Sequence, residues 1–278
     1  MEPLASGQIQ LAIHSNSAAD DPDDTQVDGY VFAAKLAALI RALKAADKAV
    51  NGQVAHRYTI AKLQTSTPTA VLKERLLPNA GTILRLMSGI AGFSECATAV
   101  SLGETDRALG YGGCAANLEK LSAGAEKTFG YGEVSAADNV IRIDSFLHER
   151  AKTIIDPEAK KKAADSDVRW FKGSAHRAFA GTVRAVDLRG SLPALKLVLS
   201  AANQQINCVC RGLQIQEIRD ALDRRVRVTG QAIYDGKSGL PSRLEIVEIE
   251  HSIANADFGH WRGAFKPFTP SDCGGAHH

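Results

Sequence analysis

Hydrophobic and polar residues follow regular patterns in two regions of the chain, and a charged stretch poor in aliphatic residues separates them. The segment QIQLAIHS at 8–15 alternates apolar and polar positions, which is the period-two pattern of a β-strand. The segment 27–52 instead repeats its large apolar residues at helical spacing. Asp28 is placed to cap the start of this helix and Gly52 to end it.

The rest of the first region continues as mixed α and β structure. HRYTIAKL at 56–63 and PTAVLKERL at 68–76 alternate as two strands around a short turn. Helical spacing dominates 79–127, where glycines interrupt it. A short strand pattern at 139–144 is followed by a helical pattern at 145–155. This order predicts an α/β domain over residues 1–157.

The second region has a specific order of elements: three strands, a helix, and two more strands. Gly181 interrupts the first of these strands and Gly230 the fourth, which indicates bends where a side chain would not fit. The apolar alternation of the last strand changes phase after Ile246, as it does at a β-bulge. The predicted elements are strands at 178–188, 194–202 and 205–211, a helix at 213–225, and strands at 225–235 and 242–251.

This order resembles the oligonucleotide/oligosaccharide-binding barrel, the OB-fold. The resemblance rests on element order and glycine placement, and it covers residues 178–251. The segments GTVRAVDL and VRVTGQAIYDGKSGLPSRLEI also resemble domains of uncharacterised bacterial proteins. The resemblance to the OB-fold implies a barrel whose ligands would contact strands two and three. In such barrels the bases of a nucleic acid stack on aromatic side chains of these strands. Those two strands contain no Phe, Tyr or Trp, which weakens the expectation of nucleic-acid binding.

We therefore predict an α+β protein with two structured parts. An α/β domain at 1–157 is followed by a linker at 158–177, an OB-like barrel at 178–251 and a tail at 252–278. The tail mixes four aromatic residues with Arg262 and Lys266. It is expected either to pack on the barrel or to contact a protein or nucleic-acid partner.

Composition is that of a water-soluble globular protein, with 45% hydrophobic and 23% charged residues. No apolar run is long enough to span a membrane, and residues 1–10 lack the pattern of a secretory leader. We therefore expect a cytoplasmic protein that does not contact a membrane. Five cysteines without framework spacing fit this compartment, and Cys208 and Cys210 are expected to be core residues on one face of a strand.

Motifs for catalysis or metal binding are weak. The acidic loop ADDPDD fails the spacing of a calcium loop, because Lys35 falls where a bidentate glutamate is required if Asp24 is the first ligand. GYGG at 110–113 lacks the following Gly-Lys-Ser/Thr of a phosphate loop and is interpreted as a break between helices. We predict no cofactor and no metal site, and no catalytic residue can be named.

Charge is unevenly distributed along the chain. The net charge is +2, but residues 168–266 contain 15 Lys and Arg against 9 Asp and Glu, which leaves the remainder at −4. The predicted binding residues are the cations of the barrel and its tyrosine: Arg184, Lys196, Arg211, Arg225, Arg227 and Tyr234.

These observations favour a non-enzymatic binding or adaptor protein that acts through the barrel, with an unidentified protein partner slightly preferred. One alternative is weak, charge-driven binding of single-stranded nucleic acid by the barrel. A second alternative is an enzyme whose site lies in the N-terminal domain, because catalytic groups can assemble from distant positions.

Overall fold

The computed structural model describes residues 4–16, 27–64, 67–78, 80, 85–136, 139–156, 170–200 and 203–251. Within these residues the chain forms two antiparallel-rich sheets of five strands each, one after the other in sequence, together with six helices. The fold class is α+β, as predicted. The acidic loop with Asp24, residues 158–169 of the predicted linker and the tail with Cys273 lie outside the described residues.

The N-terminal unit is a five-stranded sheet in the order β2-β3-β1-β4-β5, with every neighbouring pair antiparallel. β1 is the central strand, and it buries Ile9, Leu11 and Ile13 against the helices. The strands are β1 (Gln8–His14), β2 (His56–Gln64), β3 (Thr69–Leu76), β4 (Tyr131–Ala136) and β5 (Asn139–Ile143).

Five helices accompany this sheet, and their apolar residues form one core with β1, β4 and β5. They are α1 (Gly29–Asn51), α2 (Gly89–Leu102), α3 (Thr105–Gly110), α4 (Cys114–Ser122) and α5 (Ser145–Ile155). α1 confirms its sequence prediction in detail: the Asp28 carboxylate accepts hydrogen bonds from two backbone N–H groups, and Gly52 ends the helix in the left-handed region.

The C-terminal unit closes on itself in the order β10-β8-β7-β6-β9, as a barrel with a core of its own. The strands are β6 (Lys172–Asp187), β7 (Ala194–Leu199), β8 (Gln205–Cys210), β9 (Arg225–Asp235) and β10 (Arg243–His251). The short helix α6 (Ile215–Asp220) lies between β8 and β9. Parallel pairing of β10 with β8 closes the ring.

The predicted bulge is present in the barrel, and the two predicted glycines lie where a side chain would not fit. Gly181 pairs with both Leu199 and Val226, and a Cβ atom on it would lie 2.4 Å from the carbonyl oxygen of Val198. A Cβ atom on Gly230 would lie 2.0 Å from the carbonyl oxygen of Glu245. The register of β10 against β9 shifts between Ile246 and Glu248. These three features let five strands curve into a closed ring.

Two sequence predictions need correction. β6 begins at Lys172, six residues before the predicted start of this strand at 178, because β9 is long enough to pair with the extension. The helix predicted over 213–225 is confined to Ile215–Asp220. α5 begins at Ser145, as predicted, and the carboxylate of Asp144 caps it.

Candidate functional site

Four of the predicted binding residues lie on the outer surface of the barrel. Arg225 and Arg227 are exposed on β9, opposite in direction to the buried Val226 and Val228. Lys196 is exposed on β7 between buried leucines. Arg184 is also exposed, but it forms an ion pair with Asp223 at 3.3 Å.

Acidic residues adjoin the two arginines of β9. In the register of β9 against β10, Glu250 lies opposite Arg227, and Glu248 lies opposite the next outward residue of β9, Thr229. Opposite charges in such cross-strand positions attract one another and reduce the local positive potential. The outer face of β9 and β10 is therefore mixed in charge rather than a basic groove.

The other two predicted residues lie apart from this face. Tyr234 is seven residues beyond Arg227 along β9, a separation of about 23 Å at the rise of an extended strand. Arg211, directly after β8, forms hydrogen bonds with both carboxylate oxygens of Glu245 and donates to the carbonyl oxygen of Val140 in β5. The structure thus places the six predicted residues in at least three separate locations.

Tyr234 lines an aromatic hollow of about 270 Å³ at the end of the barrel where β9 and β10 are joined. Trp170 and Phe171, which precede β6, remain 49% and 57% exposed. The ring of Phe171 meets that of Tyr234 edge-on, with 5.3 Å between their centroids. We call this site the aromatic hollow; its lining residues are Trp170, Phe171, Ala175, Arg177, Tyr234, Ser238 and Gly239.

Small residues keep the aromatic hollow open. A Cβ atom on Gly239 would lie 3.0 Å from the Trp170 ring, and one on Gly173 would lie 3.1 Å from the Phe171 ring. Gly173 alternates with Ala175 and Arg177 along β6, so that two small residues and one cation face the same side. Sequence reasoning missed Trp170 and Phe171 because they fall in the predicted linker, although two adjacent aromatics before an alternating segment were a visible signal.

The barrel is fastened to the N-terminal sheet through Glu133 of β4. Its carboxylate, 3% exposed as a residue, accepts hydrogen bonds from the backbone N–H groups of Ser191 and Leu192 in the β6–β7 loop. Desolvation opposes ionisation, but the nearby imidazole of His14, whose Nε2 lies 3.9 Å from Oε2, and the hydrogen bonds from these N–H groups outweigh it and lower the pKa of Glu133. Tyr131, also on β4, donates to the carbonyl oxygen of Arg189 in the same loop at 2.6 Å.

Arginines fasten the two units elsewhere along the same boundary. Arg243 of β10 pairs with Asp144, and its guanidinium lies 4.0 Å from the centroid of the Phe146 ring. Arg150 of α5 donates to the carbonyl oxygen of Tyr234 at 3.0 Å. The second of these contacts links the wall of the aromatic hollow to a helix of the N-terminal unit.

The N-terminal unit contains a buried polar cluster that bears on the enzyme hypothesis. Asp47 is fully buried, accepts hydrogen bonds from the backbone N–H groups of Ala55 and His56, and lies 2.9 Å from His56 Nδ1. Glu74 accepts from the N–H groups of Gly89 and Ile90 at the start of α2. Both carboxylates therefore accept hydrogen bonds from backbone N–H groups, and in doing so they connect α1, β2, β3 and α2. This is a structural role.

A basic face of the N-terminal sheet escaped sequence reasoning. Arg57 of β2 lies directly opposite Arg75 of β3, and Thr59 lies opposite Lys73, on the side of the sheet away from the buried Leu72. Lys62 follows on the same side after a register shift. The net negative charge of this part of the chain gave no indication of this basic face. The cations lie on two different strands and become neighbours only through the register in which those strands pair.

The cysteines behave as core residues. Cys208 and Cys210 are buried together with Ile206 in the barrel core, as predicted. Burial raises the pKa of Cys210 to about 12, so its thiol is a poor nucleophile near neutral pH. In the described part of the chain, no three His, Cys, Asp or Glu side chains are grouped so as to hold a metal ion.

No helix among the described residues combines the length and apolarity needed to cross a membrane. No protein-family model matches the chain, and no curated protein matches it either.

Proposed function

We propose that the chain is a non-enzymatic binding protein whose barrel contacts a protein partner through the aromatic hollow. The observation that carries this proposal is the pair of adjacent aromatic residues, Trp170 and Phe171, each about half exposed beside Tyr234. Support for an OB-like module comes from the element order β-β-β-α-β-β and from the parallel pairing of its third and fifth strands.

Exposed aromatic side chains around a concavity are typical of binding sites. Trp and Tyr contribute most strongly to protein interfaces when they fill or line a central pocket. A partner side chain that enters the aromatic hollow would bury apolar surface. Each Å² of apolar surface removed from water stabilises the complex by about 25 cal/mol. The wall at Tyr234 is already held by Arg150, so little ordering of that wall is needed on binding.

Charge around the aromatic hollow indicates what kind of segment it accepts. Arg177 lines it, and Lys172 and Lys237 lie on the adjoining strand and turn; within the described segments 170–177 and 234–242 the only acid is Asp235. The excess of cations favours a segment in which an apolar or aromatic residue is flanked by Asp or Glu. We therefore expect an acidic partner surface.

Site-specific crosslinking tests the proposal. A photo-reactive amino acid is placed at Lys237, beside the aromatic hollow, or at Val247, which is 52% exposed on β10, and both full chains are incubated with lysate of the source organism. A protein crosslinked from position 237 and not from 247 is then purified and titrated against the unlabelled chain.

In that titration Trp170→Ala is expected to raise the Kd at least about tenfold, or about 1.4 kcal/mol, while Val247→Ala leaves it within about twofold. Equal melting temperatures of the two variants would show that both are folded. Equal crosslinking from both positions, or an unchanged Kd for Trp170→Ala, would remove the aromatic hollow as the contact site.

A second candidate function, binding of single-stranded nucleic acid, is favoured by the exposed cations Arg225 and Arg227 and by the basic face around Arg57 and Arg75. Phosphate contacts of this kind produce weak, sequence-tolerant and salt-dependent binding. An RNA or DNA strand recovered by crosslinking from position 237, in place of a protein, would transfer the proposal to this class of partner.

A further inference from the structure

A second cavity, of about 170 Å³, lies where α2, β5 and the barrel strands meet. It is distinct from the aromatic hollow and is lined by both units of the chain. Three arginines reach it from separate elements: Arg142 from β5, Arg211 from the end of β8, and Arg243 from β10. We call it the arginine cleft.

The positive charge of the arginine cleft is only partly compensated. Among the described residues Glu245 is the one acid in its lining, and it pairs with Arg211. A single oxygen of Asp144, Oδ2, serves both Arg142, at 3.5 Å from Nε, and Arg243. The three guanidinium groups therefore pair with two carboxylates, one of whose oxygens is shared, while Asp187, which also lies near Arg142, is paired with Arg189.

Burial makes this imbalance costly unless an anion offsets it. The side chains of Arg142 and Arg243 are only 10% and 9% exposed. A guanidinium carries five N–H donors, and among the described residues Arg243 donates one hydrogen bond, to Asp144. Buried cations without full compensation are unfavourable, and an anion placed among them gains charge-assisted hydrogen bonds.

The guanidinium groups are held in place before any ligand arrives. Arg142 lies 3.7 Å from the centroid of the Tyr131 ring and donates to the carbonyl oxygen of Leu192. Arg211 is fixed by Glu245 and by the carbonyl oxygen of Val140. Rigid donors in fixed positions lower the entropic cost of binding.

We propose that the arginine cleft binds a phosphate group, and that the bound group bridges the N-terminal unit and the barrel. The planar guanidinium group of arginine can donate two hydrogen bonds at once to a tetrahedral oxyanion such as phosphate. Thr98 and Ser101 on α2 add hydroxyl groups to the lining, and Asn139 adds an amide. Because residues of both units touch the ligand, binding stabilises the docked arrangement of the two.

Calorimetric titration of the full chain with inorganic phosphate, at constant ionic strength, tests the proposal. Thr98→Glu adds a negative charge at an exposed position of the lining and leaves the three arginines intact; Ala91→Glu makes the same charge change at another exposed position of α2 outside the lining. We expect saturable binding by wild type, a Kd at least about tenfold higher for Thr98→Glu, and a Kd within about twofold for Ala91→Glu.

Arg211→Gln provides a second variant, and it is expected to weaken phosphate binding to a similar degree. Phosphate should also raise the melting temperature of wild type and of Ala91→Glu, but not that of Thr98→Glu, because ligand binding to the folded state adds stability. A parallel titration with 5′-AMP distinguishes a phosphate monoester from the free ion by which of the two binds more tightly.

Absence of saturable binding of both phosphate and 5′-AMP by folded wild type at millimolar concentration would overturn the proposal. Equal weakening by Thr98→Glu and Ala91→Glu would also overturn it, since it would show a general charge effect at another site. These outcomes are independent of the aromatic hollow, which neither variant touches.

Discussion

Gly190 lies so close to Glu133 that a Cβ atom on the glycine would stand 2.5 Å from Oε1 of the carboxylate. Its φ of +75° is in the left-handed region, and this conformation turns the following N–H groups of the β6–β7 loop towards Glu133. The contact joins a loop of the barrel to strand β4 of the N-terminal sheet across 57 residues of chain. A backbone with no side chain is therefore part of the attachment between the two units.

Gly190→Ala is expected to destabilise the protein by about 1–3 kcal/mol, because the new methyl group meets Glu133 and the backbone conformation is strained. Gly212→Ala is the matched control: its φ is +70°, but nothing lies within 4 Å of its Cβ position. Chemical denaturation measures the free energy of unfolding of both variants. The difference between their losses of stability gives the effect of the clash with Glu133, because both variants carry the same backbone strain. Equal losses of stability would show that the contact with Glu133 contributes nothing.

The ionisation of Glu133 predicts a pH dependence of stability. Its pKa is lower in the folded protein than the ordinary value of about 4.3, so its stabilising effect is full above that value and is lost as pH falls through the folded pKa. Glu133→Gln should therefore be less stable than wild type at pH 7, and the difference should shrink below about pH 4. Urea denaturation across this range measures it; a difference that stays constant with pH would contradict the prediction.

The close approach at Gly181 predicts that the barrel cannot accept a side chain there. A Cβ atom would lie 2.4 Å from the carbonyl oxygen of Val198, and the strand pairs on both sides, so it cannot shift freely. Gly181→Val should destabilise by about 1–3 kcal/mol. Gly110→Ala, at a position open to solvent, should change stability far less. An unchanged melting temperature for Gly181→Val would argue against a sharp bend in β6.

Local sequence patterns predicted those elements whose residues interact mainly with near neighbours. The helix from Gly29 to Asn51 carries its own start signal, apolar stripe and end signal, and all three are observed. The barrel strands were predicted because each alternates between one buried and one exposed side. The special positions of Gly181 and Gly230, where a side chain would not fit, were visible because a glycine inside a strand is unusual.

β4 was missed because its determinants are distant in sequence. Tyr131–Ala136 is buried at every position, and Glu133 and Ser135 would be unfavourable there without partners. Ser191 and Leu192, which satisfy Glu133, lie nearly 60 residues further along the chain. The same limit applies to the arginine cleft, whose three arginines share no sequence spacing, and to the aromatic hollow, whose Trp170 falls in the predicted linker.

The boundary between the two units remains a prediction to test by limited proteolysis. Cleavage is expected first within 156–168, and the C-terminal fragment should stay folded because the barrel has a core of its own. The polar contacts through Glu133, Arg150 and Arg243 predict, in addition, that the two fragments co-elute in gel filtration after cleavage. First cleavage inside 178–251 would place the boundary elsewhere.

The salt dependence of nucleic-acid binding distinguishes the two basic surfaces. If the barrel binds single-stranded DNA, Arg225→Ala/Arg227→Ala should abolish a signal seen at low salt, because these arginines would supply the phosphate contacts. Arg57→Ala/Arg75→Ala removes the same charge from the N-terminal sheet and is the matched control. This second variant should also gain stability, by up to about 1 kcal/mol, since two like charges no longer lie directly opposite one another.

Binding lost only in the Arg57/Arg75 variant would assign the polyanion surface to the N-terminal sheet. If wild type does not bind DNA even at low salt, both arginine pairs are ordinary solvent-exposed surface. The nucleic-acid alternative is then excluded, and the protein-partner proposal remains.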